Sequence, residues 1–81
     1  MDTLPPNTAT LDLVKEAARC GGVVAALLTR LRRMKAGDTV AIINIGEYQA
    51  SLNEALSILE SYGLLRVIDR SPNGVIISKV R

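Results

Sequence analysis

Between Gln49 and Val80 the chain has few ways to fold. Leu52, Ala55, Leu56 and Leu59 recur at helical spacing inside the segment from Gln49 to Tyr62, the stripe of a helix that lays one face on a core. Gly63 follows at once and suits the left-handed position just past a helix end. Two β-rich runs come next, Leu64 to Asp69 and Gly74 to Val80, on either side of Ser71-Pro72-Asn73-Gly74. Pro suits the second position of a type I turn there and Gly accepts a positive φ. The sequence therefore predicts a helix that runs directly into a short, sharply turned hairpin.

A chain of 81 residues is one small domain, near the size at which a single core barely outweighs conformational entropy, so a partner subunit would help it. Apolar residues make up 48%, too many for a disordered chain, but with no Phe and no Trp the core must be built from Leu, Ile, Val and Ala. One cysteine, Cys20, cannot form an internal disulfide, and without His there is no thiolate or imidazole zinc set, so neither metal nor cofactor is expected. Cys20 reads as inert packing on an apolar helix. Tyr48 and Tyr62, the only aromatics, read as core-edge residues. The longest nearly uncharged run, Cys20 to Thr29, is far shorter than the eighteen or so residues a membrane span needs. The first six residues lack a basic stretch followed by an apolar one, so no secretory signal is expected and the cytoplasm is the expected location.

Upstream, residues 1–9 with Pro5-Pro6 read as a flexible arm, and Thr8 or Thr10 as the cap of a helix with Leu11, Val14 and Ala18 on its apolar face. The Gly21-Gly22 pair predicts a break, since each glycine costs a helix about 1 kcal/mol relative to Ala. A second helix carries Val24, Leu27, Leu28 and Leu31 on one stripe, with Arg30, Arg32, Arg33 and Lys35 in its last turns and Gly37 at its end. Thr39 to Ile45 is β-branched enough for a strand. The expectation is nonetheless a brief strand at Thr39 to Val40 followed by a short helix; a full strand would replace that helix.

That preference comes from a resemblance. Ile45, Gly46, Ser51, Leu52, Ala55, Leu56, Leu59, Glu60, Gly63 and Leu64 fall without a gap on the second and third helices of winged helix-turn-helix proteins, as in small bacterial and archaeal repressors. The resemblance spans roughly Val24 to Val80 and implies an α+β fold of three to four helices with a C-terminal hairpin as the wing. The domain over 10–81 then divides into N-terminal helices (10–35), a helix-turn-helix (38–64) and a wing (65–81). It also implies that the third helix reads the major groove, so that Gln49, Ala50, Ser51, Asn53, Glu54 and Ser57 face bases and nearby phosphates. Gln and Asn match the adenine edge and Glu accepts from cytosine.

Charge complicates this picture. Residues 1–35 hold six cations and three anions, whereas 36–65 hold Asp38, Glu47, Glu54 and Glu60 and not one Lys or Arg. Phosphate neutralisation supplies most non-specific affinity for DNA. Here it must come from the flanks: Arg30, Arg33 and Lys35 on the second helix, and Arg66, Arg70, Asn73, Lys79 and Arg81 on the wing. The sequence thus predicts a homodimeric regulator of double-stranded DNA, paired through its N-terminal helices between Leu11 and Leu31. The rival is a winged helix that binds protein in a larger assembly, favoured by an acidic, Ser-rich third helix and by Ile58, which sits off the main stripe. Enzyme chemistry has no histidine, nucleophile elbow, phosphate loop or carboxylate pair to build on.

Overall fold

The computed structural model describes residues 9–81, so residues 1–8 of the expected arm, and Thr8 as a cap, lie outside the described residues. The chain runs β1 (Ala9–Asp12), α1 (Leu13–Cys20), α2 (Val23–Arg32), β2 (Thr39–Ile43), a single 3-10 turn (Gly46–Tyr48), α3 (Gln49–Ser61), β3 (Leu65–Ser71) and β4 (Gly74–Lys79). The strands form one mixed sheet in the order β1-β2-β4-β3, with β1 parallel to β2 and the other pairs antiparallel. This is an α+β fold of three helices and a four-stranded sheet, and the order from α2 to β4 is compatible with a winged helix in general.

The sheet's alternation decides what lies inside. Leu11, Val40, Ile42, Val75, Ile77 and Leu65 share its inner face and meet Leu13, Ala17, Val23, Leu27 and Leu31 of α1 and α2 and Leu52, Ala55, Leu56 and Leu59 of α3. The core is wholly aliphatic, as the composition requires, and no polar or charged side chain is buried among the described residues. The Gln49 to Tyr62 stripe is therefore as read. So is its end: Gly63 has φ 75°, its N–H donates to the Glu60 carbonyl, and the Leu64 N–H donates to that of Leu59. That pair of bonds closes the last turn as a left-handed glycine does.

The N-terminal helix differs from expectation at its start. Residues 9–12, assigned to the arm and the first helix, form β1, because Leu11 beside Ile42 completes the inner face. Thr10 is thus extended, and the cap of α1 is Asp12, whose carboxylate accepts from the Lys15 N–H at 3.1 Å and from Asn44 Nδ2 at 2.8 Å. These bonds, the backbone one first, hold its carboxyl below the usual aspartate range. Starting α1 at Leu13 rotates the buried face onto Leu13 and Ala17 and leaves Val14 and Ala18 outside. The Gly21-Gly22 break is present, with φ of 89° and 143°.

On α2 the buried set is Val23, Ala26, Leu27 and Leu31, so that Leu28 is half-buried and Val24 turns outward. The helix stops at Arg32, before Gly37, which instead supplies a φ of 93° in the turn to β2. The largest departure follows. β2 continues through Ile43, since Val40 and Ile42 are needed opposite Ile77 and Val75 on the inner face. Local β propensity wins, and the first helix of the expected helix-turn-helix is reduced to the 3-10 turn.

The hairpin closes across Ser71 and Gly74, as expected, but Gly74 has no positive φ. It also pairs with Ile43 on β2, where an added Cβ would lie 2.6 Å from the Ile42 carbonyl oxygen. Close approach of β2 is what requires glycine here.

Candidate nucleic-acid interface

A β-bulge sets which wing side chains meet α3. Val67 pairs with Ile77 and Asp69 with Ile76, so Ile68 is the extra residue on β3. Strict alternation would send 65, 67, 69 and 71 inward; after the bulge the inward phase moves by one. Arg70 then lies opposite Val75, whose side chain is on the helix side of the sheet, and its Nη1 donates to Asn53 Oδ1 at 3.1 Å. Arg66 precedes the bulge and lies opposite Ser78, so it projects from the other face. The two arginines, expected to act together, are on opposite sides of the hairpin.

Asn53 Oδ1 also accepts from Gln49 Nε2 at 3.3 Å, one helical turn earlier. Both lone pairs of that oxygen are therefore used, while the Asn53 Nδ2 donors, the Gln49 Oε1 acceptor and the remaining Arg70 N–H groups have no partner among the described residues. The result is an exposed patch of donors and acceptors with one fixed positive charge on a helix that has none of its own. Asn73, at the exposed hairpin tip, adjoins it in sequence.

Helical geometry splits the other expected base-facing residues. With Leu52, Ala55, Leu56 and Leu59 inward, Gln49, Asn53, Ser57 and Glu60 lie on the flank toward β3, where a Glu60 carboxylate oxygen reaches the Val67 N–H at 3.5 Å. Ser51 and Ile58 lie on the opposite flank toward α2, with Glu54 at its rim. Ala50 faces solvent between them.

The remaining expected cations hold the fold or sit far from this patch. Lys79 is half-buried, and its Nζ donates to the carbonyls of Leu31 at 2.7 Å and Met34 at 2.6 Å, closing the C-terminal end of α2. Arg81 Nη2 donates to the Tyr62 carbonyl at 3.3 Å, and Arg30 Nη1 to that of Thr10 at 3.1 Å. Arg33 and Lys35 stand beside Gly37, whose N–H donates to the Lys79 carbonyl at the base of the hairpin. From that rung, Leu65 to Arg70 spans roughly 16 Å of strand. Arg70 and the Arg-rich end of α2 thus occupy opposite ends of the hairpin.

Sequence reasoning missed a second surface. α2 and α3 run side by side in the same sense, and the groove between them, of about 660 Å³, is lined by Gly22, Val24, Leu28, Tyr48, Glu54 and Ile58 among others. Val24 and Ile58 keep 42% and 44% of their surface exposed. Ile58 off the main stripe is its one legible signal; Val24, expected on the apolar stripe of the second helix, is exposed here instead. Tyr62, expected at the core edge, is 67% exposed, while Tyr48 does pack against the core. No described helix is long and apolar enough to cross a membrane. Compared with known proteins, the chain matches no family model, no curated protein and no solved structure.

Proposed function

We propose that this protein is a small winged-helix regulator that binds double-stranded DNA as a homodimer, using the β3-side flank of α3 and the tip of the hairpin. One observation carries the reading: the bulge at Ile68 brings Arg70 against Asn53, which Gln49 also bonds, so a cation stands beside amides able to read base edges. Gln49, with its Oε1 and one Nε2 hydrogen free, would meet an adenine-type edge in the major groove, while Asn53, its Oδ1 already filled, would donate from Nδ2 to a base acceptor, with Ser57 beside them. Arg70 and Asn73 would take the phosphates that fix register. Ser51 and Glu54, on the far flank, leave the base-reading set. Lys79 leaves the phosphate-contact set because its Nζ serves two backbone carbonyls, and Arg30 and Arg81 leave it because they lie beside Thr10 and Tyr62, away from the hairpin tip. Arg33 and Lys35 contribute through the long-range field. With one turn standing for the first helix of the pair, the grip on the backbone is lighter than in a full helix-turn-helix, and doubling in a dimer offsets that.

The test is a titration of duplex DNA over a range of salt concentrations. Each phosphate neutralised contributes about 0.9 to the slope of log affinity against log salt. Arg70→Ser is expected to lower the slope by about 1 per protomer, whereas Arg66→Ser leaves it unchanged. Absence of binding at low salt, or equal effects of the two substitutions, would overturn the proposal. The second reading, a protein-binding module, is favoured by the apolar groove between α2 and α3.

A further inference from the structure

The groove between α2 and α3 carries unlike charges along its length. Glu54 borders it midway along α3, one turn before Ile58; one turn beyond Leu28 it continues into a cleft bordered by Arg32 and Arg81. Between these charges the exposed surface is apolar, with Val24, Leu28 and Ile58. Helix dipoles follow the same polarity, positive on the Glu54 side and negative on the arginine side.

An apolar patch flanked on opposite sides by opposite charges complements itself under a two-fold rotation. We infer that the groove is the contact with a second copy of this chain, the α2 and α3 pair of each protomer lying antiparallel on the other's. Placing the axis near Leu28 and Ile58 sets these apolar residues against their own counterparts. The same rotation brings Glu54 of each protomer to Arg32 of the other, as an isologous contact requires. All four helix dipoles are then opposed. Gly21 and Gly22 leave the groove's upper end open, with nothing within 4 Å of where their Cβ atoms would be. This surface narrows the pairing expected of the N-terminal helices to α2 and adds α3, leaving α1 outside. It rests on the proposed function only for the dimer itself, and it keeps Gln49, Asn53 and Arg70 on the uncovered flank.

The experiment measures mass by sedimentation of the whole chain without DNA, so that its outcome is separate from duplex binding. The wild-type chain is expected to sediment as a dimer of the 8.7 kDa protomer. Ile58→Glu, on an exposed position, should shift it to monomer with unchanged helical circular dichroism. Arg32→Glu and Glu54→Arg should each weaken the dimer at least about tenfold, the size expected for a close charge pair turned repulsive. The double variant, which restores opposite charges across the axis, should recover most of that loss. A monomeric wild type, a dimer indifferent to Ile58→Glu, or a double variant no better than the singles would overturn the inference, whether or not DNA binds.

Discussion

Gly74→Ala tests the joint that holds the hairpin to the rest of the sheet. Gly74 pairs with Ser71 on one side and Ile43 on the other, and an added methyl would lie 2.6 Å from the Ile42 carbonyl oxygen. Even weak carbon–oxygen contacts in sheets sit at about 3.3 Å or more. Either β2 retreats by roughly 0.7 Å at that rung or the turn rotates away, and forced shifts of this kind cost about 1–3 kcal/mol. Alanine also narrows the unfolded ensemble, which returns about 0.4–1 kcal/mol. At the midpoints of these ranges the net loss is about 1.3 kcal/mol, or roughly 5–10 °C in Tm for a domain this small. Thermal unfolding followed by circular dichroism reads it directly, with Asn73→Ala, at the exposed tip, as the control. If alanine at 74 leaves Tm where it was, the close approach of β2 to the turn is wrong. The position of Arg70 beside α3 would then lose its support.

Two further substitutions probe the core and the cap. Leu56 is fully buried at the centre of the α3 stripe, so Leu56→Ala should cost about 2–5 kcal/mol in urea unfolding, and a nearly silent result would mean that α3 does not cover the sheet. Asp12→Asn keeps a side-chain acceptor but removes the charge that the Lys15 N–H and Asn44 stabilise. Because the folded carboxyl titrates below its unfolded value, its contribution is complete above about pH 4 and vanishes as pH falls through the lower folded value. The wild-type chain should therefore outlast the variant at neutral pH and match it in strong acid, and a gap independent of pH would refute the assignment.

What the sequence showed, and what it hid, follows from the range of the forces involved. α3 and its glycine end were legible because stripe and cap are local: Leu52 to Leu59 and Gly63 settle them within one segment. The hairpin was legible for the same reason. β1 and the full length of β2 were hidden because they answer a demand made elsewhere, by Val75 and Ile77 on β4 and by the partner strand each needs. Residues 39–43 even carried the right β-branched signal, which the family spacing outweighed. The cations were the hardest to read. Lys79 and Arg81 look like free wing charges until the helix ends they close are folded beside them. A single extra residue, Ile68, separates Arg70 from Arg66 by flipping the strand's phase, and no alternation pattern announces it.

The central claim is that the β3-side flank of α3 and the hairpin tip contact duplex DNA while the α2 and α3 groove does not. Backbone amide shifts recorded by NMR as duplex is added at low salt test it most directly. The account predicts changes concentrated at Gln49, Asn53, Ser57 and the 70–73 segment, reversed by added salt, with Val24, Leu28 and Ile58 still. Shifts gathered instead around the groove, or at Arg33 and Lys35 alone, would contradict it.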